Sequence, residues 1–332
     1  MQDQPLRLPS VVYDDGLSPF VTALGLYARE SATPLVLDMQ DVQFYTPGAV
    51  AGLLAIMHRW LGEGREVQLL NSEVSPAFSY LQRMDFFTLC GLKLPEHFRR
   101  HDAQGRFVTL RRIDSSLAGQ VDTVAAEIAR CLFPEQADSD NPDITGPHDL
   151  VVYAATELIN NVLQHARAPG FTLAQVYPQQ RMVRLAIADY GIGIRSSFEE
   201  NQPPFWDAAM SDLDALGFAL EPKVSSKLNV SSGWWVGGGI NAGVGLSILK
   251  ELARDADGIF TLISQTGFYQ SNCYQQHEYP SELTLPVSYP GTICSLQVSQ
   301  SKLVNQQLIL MQAKRRLGLL DKTHPFDDLF ES

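Results

Sequence analysis

The sequence predicts an α/β protein of two-layer construction, with a small N-terminal α/β domain followed by a larger α/β sandwich. Three observations carry that prediction. The chain has 332 residues, 45% of them hydrophobic, which is room for two ordinary domains with real cores. Short apolar runs alternate with helix-period segments over the first hundred residues. Residues 156–166, TELINNVLQHA, then combine an apolar set (Leu158, Ile159, Val162, Leu163) with Glu157, Asn160, Asn161, Gln164 and His165 at three- and four-residue spacing. A helix of that kind buries one side and presents a row of polar groups on the other.

In chain order, residues 9–13 read as an opening strand and 18–30 as a helix. Residues 34–38 form a compact apolar strand ending in Asp38. Thr46-Pro47-Gly48 starts an apolar helix over 49–60, with a hydroxyl at the cap and proline at the first helical position. A strand at 66–70 and a helix at 75–84, with Ser75 capping, complete a domain spanning 1–95. Residues 96–106 read as a solvated linker. An edge strand is expected at 107–113 and a helix at 115–133. Residues 134–149, acidic and proline-bearing, read as a loop, with the polar-striped helix following over 148–166. Strands at 171–177 and 182–188 follow, the second delivering Asp189 into Asp189-Tyr190-Gly191-Ile192-Gly193. Residues 194–240 carry little regular signal beyond helical turns in 205–220, and the run around Trp234, Trp235 and Gly239 is glycine-rich enough to reorder. A helix over 243–255, strands at 259–264 and 291–298, a weaker strand at 268–275 and a C-terminal helix and tail over 301–332 close the chain.

The chemistry of these pieces points to a nucleotide. A carboxylate at a strand end accepts a hydrogen bond from an adenine amino group, and a charged, buried Asp189 needs such a partner. Gly191 and Gly193 let the backbone approach a flat base. Gly243 and Gly245 open a helix whose free N–H groups and positive end suit phosphates. Asn161 supplies an oxygen for Mg²⁺, and Glu157, one turn earlier, stands where it can orient or deprotonate a nucleophile.

At these residues the chain resembles a known superfamily. Glu157-Leu-Ile-Asn-Asn161-Val-Leu-Gln-His165-Ala is similar to the N-box of the GHKL ATPases, the superfamily of gyrase, heat-shock chaperones, sensor histidine kinases and mismatch-repair proteins. Asp189-Tyr-Gly191-Ile-Gly193 resembles the first glycine box, Gly243-Val-Gly245-Leu246-Ser-Ile-Leu the second, and Pro290-Gly291-Thr292 the closing strand. The resemblance covers about residues 107–300 and implies a Bergerat-fold sandwich binding ATP and Mg²⁺. It implies Glu157 as general base, Asn161 as the Mg²⁺ ligand and Asp189 beside adenine. Gly191, Gly193, Gly243, Gly245, Leu246, Thr292 and His165 would complete the nucleotide site. In relatives, a polar or basic residue at the position of His165 lies near the phosphates; packing beside the lid is the other reading. Lys223 and Lys227 are read as solvated lysines or lid contacts. No phosphoacceptor histidine hairpin precedes the domain, so the closest style is that of the bacterial anti-sigma serine kinases.

The segment Val36-Leu-Asp38 through Gly48 resembles the central part of the STAS domain of anti-sigma-factor antagonists, which carries an Asp-Ser-Ser-Gly run whose first serine is phosphorylated. Here that run is Tyr45-Thr46-Pro47-Gly48. Thr46 is therefore either a phosphoacceptor or only a helix cap. Together the two resemblances imply a Mg²⁺-dependent ATP-binding regulatory switch with serine/threonine kinase activity, or else a slow ATPase or nucleotide sensor. A regulatory protein or a second copy would be its partner.

Composition narrows the field. A net charge of −12 disfavours nonspecific nucleic-acid binding, which needs clustered Lys and Arg. Cys90, Cys131, Cys273 and Cys294 show no metal-ligand spacing and read as reduced thiols. No apolar stretch reaches membrane-spanning length and the N-terminus has no apolar signal core, so a cytoplasmic protein is expected.

Overall fold

The computed structural model describes residues 4–32, 34–139, 142–224, 243–274, 277–303 and 306–319. Its elements are β1 (Leu6–Arg7), β2 (Val11–Val12), α1 (Leu17–Glu30), β3 (Leu35–Asp38), β4 (Phe44–Tyr45), α2 (Pro47–Gly62), β5 (Val67–Leu70), α3 (Phe78–Arg83) and α4 (Phe86–Leu89). There follow β6 (Phe107–Ile113), α5 (Val121–Leu132), α6 (Pro142–Asn161), β7 (Gly170–Tyr177), β8 (Met182–Asp189), α7 (Gly193–Asn201) and α8 (Asp212–Leu220). The chain closes with α9 (Gly245–Asp255), β9 (Ile259–Tyr274), β10 (His277–Ser299) and α10 (Gln306–Arg316). The α/β class expected from the sequence is the class observed.

The main sheet runs β6-β7-β8-β10-β9, each neighbouring pair antiparallel. Helices α5, α6, α9 and α10 cover one face, where Val183, Leu185, Ile187, Cys294, Leu296 and Val298 join their apolar sides in one core. On the other face lie α1 and α2 of the N-terminal unit, whose parallel strands β1-β3-β5 form a further layer. Phe171, Leu173, Ala188 and Ile293 share a core with Leu24, Leu53 and Ile56. With both faces covered, β7, β8 and the sheet part of β10 bury nearly every residue, at alternating positions.

Close approach is what permits this stacking. Gly25 and Gly52 face β10 so tightly that an added Cβ would come within 2.7 Å of Val287 and Ile293 respectively, and one on Gly48 within 3.2 Å of Ser295. α2 is accordingly buried all round, as expected of a helix between two layers. Polar groups tie the turn before α1 to the sheet. Asp14, 2% exposed, accepts a hydrogen bond from Ser295 at 2.9 Å and lies 3.7 Å from Arg184. Arg184 in turn donates to Gln297 at 2.6 Å and stacks over Tyr177.

Several elements differ from expectation. The helix expected at 75–84 starts only at Phe78, because Ser75 donates to the Val42 carbonyl instead of opening a helix. The helix expected over 115–133 begins at Val121, after a turn at Gly119 with φ +80°. α6 starts at Pro142 rather than at 148, carrying Pro147 inside it. The linker is tied down as well as solvated: Arg100 bonds Glu96, Asp85 and the Gln82 carbonyl. The weak strand at 268–275 is part of a long β9–β10 hairpin, interrupted by a bulge between Thr284 and Thr292. The bulge carries Leu285, Val287 and Tyr289 down to α1 and α2. The tail beyond residue 319 and the glycine-rich run holding Lys227, Trp234 and Trp235 lie outside the described residues.

Candidate functional site

The α6 stripe ends in an irregularity. Beyond Asn161 the α-helix gives way to a π turn, Val162–Ala166, closed by Arg167 in the left-handed conformation. Such a turn places its side chains differently round the axis from an α-helix, and π turns occur often at functional sites. It leaves the Ala166 carbonyl free to accept from Ile192 N at 3.0 Å. Gly191 lies against the same carbonyl, and any side chain there would overlap it. The glycine of the turn after β8 is thus required by contact with the end of α6.

Asp189 is the centre of this end of the site. Its carboxylate accepts from Gly191 N at 2.9 Å and from the Thr292 backbone, while Gly291, at φ +98°, presses its backbone against the same residue. Burial pushes the Asp189 carboxyl up to about 7, and the two amides only partly offset this. Gly193, at φ +77°, lies against Gln265 and Ser264. The Ser264 hydroxyl, 2% exposed at the residue level, accepts from Ile194 N at 2.8 Å and lies 3.2 Å from the Thr292 hydroxyl. Asp189, Gly191, Gly193 and Thr292 are therefore one connected group.

A second group forms at the other end of the stripe. A Cβ on Gly245 would overlap the Glu157 carboxylate, so the mouth of α9 closes directly over that acid. Burial pushes the Glu157 carboxyl up to about 7, and Lys314 on α10 pulls it back in part. Gly243 is at φ +77° and Leu246 packs on the helical core. Asn161 stands between the two groups, half-buried, at the last α-helical position. His165 is carried towards α7, its Nδ1 3.4 Å from the Ser197 hydroxyl.

Two predicted features are placed against expectation. Thr46 is the N-terminal cap residue of α2, but its hydroxyl makes no capping bond and is fully buried without a partner. Enclosed between α2 and the sheet, it offers no access to a phosphoryl donor, so the acceptor role is at odds with the packing. The region after Gly193, expected to be irregular, begins with α7, whose Arg195 donates to the Met210 carbonyl at 2.7 Å. Sequence reasoning also passed over Ser264, Lys314 and Tyr190. Only Ser264 left a signal, a polar residue ending the buried run of β9.

The chain matches no protein-family model, and a search of curated proteins returns no significant match. Among the described residues no cluster of three or more His, Cys, Asp or Glu could hold a metal ion, and no helix is long and apolar enough to cross a membrane. All four cysteines are free thiols.

Proposed function

We propose that the chain is a Mg²⁺-dependent ATP-binding protein of GHKL type, working as a regulatory switch that phosphorylates a serine or threonine of a protein partner. The observation that carries this reading is Asp189: a buried carboxylate at a strand end, set by two backbone amides between two glycine turns. An adenine amino group is the natural donor for such an oxygen. Glu157 lies about 6 Å of helix before Asn161, four residues at the α-helical rise, and the π turn then carries the chain on to Ala166. Base at Asp189 and phosphates near Glu157 and the mouth of α9 would thus lie at opposite ends of one polar stripe, a span suited to a nucleoside triphosphate.

The residues fit the metal as well as the base. Asn161 offers a neutral oxygen, and a Mg²⁺ held there with phosphates and water would neutralise phosphate charge. Glu157, with its carboxyl near neutrality, suits a general base. It would take the proton of the attacking hydroxyl as that oxygen bonds to the γ-phosphorus and the bond to ADP breaks. Water competes as the nucleophile, giving slow hydrolysis. With Thr46 enclosed, that hydroxyl is not the acceptor, and the reading takes the acceptor from a partner.

The test is a titration with ATP and Mg²⁺, followed by a time course with γ-labelled ATP in which label is tracked into protein and into free phosphate separately. Label on a co-purified partner supports the kinase reading, and label only in phosphate the ATPase. Tight binding with no label movement leaves a sensor. No binding at all rejects the nucleotide site.

A further inference from the structure

The loop that sets Asp189 is held from behind by a single helix of the N-terminal unit. On one side, the residue after Asp189 is Tyr190, whose ring stacks on His58 of α2 with centroids 6.0 Å apart and planes at 17°. Phe171 completes the cluster, 4.8 Å from His58 and 6.4 Å from Tyr190. The His58 ring is itself fixed, its Nε2 2.9 Å from the Leu89 carbonyl. On the other side, Tyr289 is 1% exposed and donates its hydroxyl to the Gly52 carbonyl of α2 at 3.2 Å.

These two rings bracket the two amides that bond the Asp189 carboxylate. Gly191 N is one residue from Tyr190, and Thr292 N is three from Tyr289. Gly52 and His58 are six residues apart on α2, well under two turns. One stretch of one helix thus grips both chain segments that shape the acid, and it approaches from the sheet face opposite the α6 stripe. Nothing in this contact reaches Glu157 or the mouth of α9.

We infer that His58 and the Gly52–Tyr289 bond are positioning elements for base recognition, so that the N-terminal unit governs affinity for the adenine moiety and leaves phosphate binding untouched. This rests on the nucleotide reading above and deepens it. A displacement of α2, such as a partner docking on the N-terminal unit would impose, would reach Asp189 through two ring contacts. The regulation is then of nucleotide selectivity, with no contribution to the bond-breaking step.

The test uses the full chain with two separate variants. Tyr289→Phe removes one oxygen and keeps the ring, and His58→Leu removes the stack on Tyr190. Affinities for adenosine, ATP and Mg²⁺-tripolyphosphate are measured by calorimetry, and exchange of the Gly191 and Thr292 amides by NMR. The expected result is a 5- to 10-fold loss for adenosine and ATP, unchanged tripolyphosphate binding, and faster exchange at the two amides (on the scale of one lost hydrogen bond). Equal losses for all three ligands would overturn the inference, since they would report general destabilisation. Unchanged affinity and exchange in both variants would overturn it as well. If the wild-type chain binds neither adenosine nor ATP, the nucleotide reading falls and base recognition with it, while the exchange data still decide whether α2 sets the two amides.

Discussion

The carboxylate of Glu157 occupies the space that a side chain on Gly245 would need. Helix α9 therefore begins where α6 presents its acid, and neither can move without the other. Gly245→Ala is expected to push the carboxylate aside while sparing the Asp189 end. Adenosine affinity should hold, and turnover should fall by about 100-fold, the scale of an ångström's misplacement. Glu157→Gln should give the same split with no steric change. Turnover that survived both variants would remove Glu157 from the chemistry.

Buried Asp189 and half-buried Glu157, both with carboxyls raised towards neutrality, give the protein a pH signature. The carboxyls of Asp189 and Glu157 are raised to about 7 by burial. Relative to the unfolded chain, their contribution to stability is complete below about pH 4 and is lost as pH rises through 7. Denaturation midpoints should therefore fall between pH 5 and 8. Asp189→Asn should remove roughly half of that fall, leaving the Glu157 share, and stabilise the protein at pH 8 by about 3 kcal/mol. Adenine binding needs the ionised acid, so ATP affinity should rise over the same interval in the wild type. A pH-independent affinity would count against Asp189 as the base contact.

Lys314 offers a separate handle on Glu157. It is the cation that opposes the effect of burial on that acid. Replacing it with alanine should move Glu157 to a still higher titration point and shift the rising limb of the pH–turnover profile the same way. Helix α10 itself is anchored by Arg316, which bonds Glu251 at 2.6 Å and Asp255 at 2.5 Å. Arg316→Ala should reproduce the Lys314 shift in part by loosening α10. An unchanged profile in both would mean that α10 does not act on the acid.

The seam between the two units should be sensitive to single atoms. A methyl on Gly52 would meet Ile293 Cδ1 at 2.7 Å, and overpacking of this kind costs about 1–3 kcal/mol. Arg184→Met leaves Asp14 buried without its counter-charge and should cost about 3–5 kcal/mol. Both are read from denaturant melts followed by two probes, one in each unit, and the two probes should shift together. Independent transitions would show that the seam does not couple the units.

Thr46→Val provides the converse case. The hydroxyl is buried and unpartnered, so its removal should be neutral or raise the melting temperature. Label from γ-labelled ATP should be the same with and without the substitution. Loss of label in the valine variant would restore Thr46 as an acceptor.

The sequence made the Asp189 cluster legible because its physics is local. Gly191 and Gly193 stand where backbone approaches a carbonyl and a side chain, and only glycine satisfies both. The polar row on α6 was legible for the same reason, through helical period. What was not legible depends on packing between distant segments. α7 hid because it is short and polar, with only Ile194 and Phe198 as an apolar pair. The π turn at Val162–Ala166 has no residue signature and arises where α6 meets the turn after β8. Thr46-Pro47 reads as a capping pair, yet contact with the sheet left the hydroxyl enclosed and idle. His58 and Tyr289 carried no signal, since each acquires a role only once α2 lies on the sheet.

The partners along the glycine seam are made far apart in time. Gly52 leaves the ribosome about 241 residues ahead of its contact Ile293, a delay of roughly 12–48 s at ~5–20 residues per second. Until β7 and β8 emerge, the nascent N-terminal unit lacks the strands that cover α2, and the flank of α1 waits longer still, for β10. Chaperone holding during synthesis, and loss of yield when translation is slowed before β10, are the expected costs of building the two units on one seam.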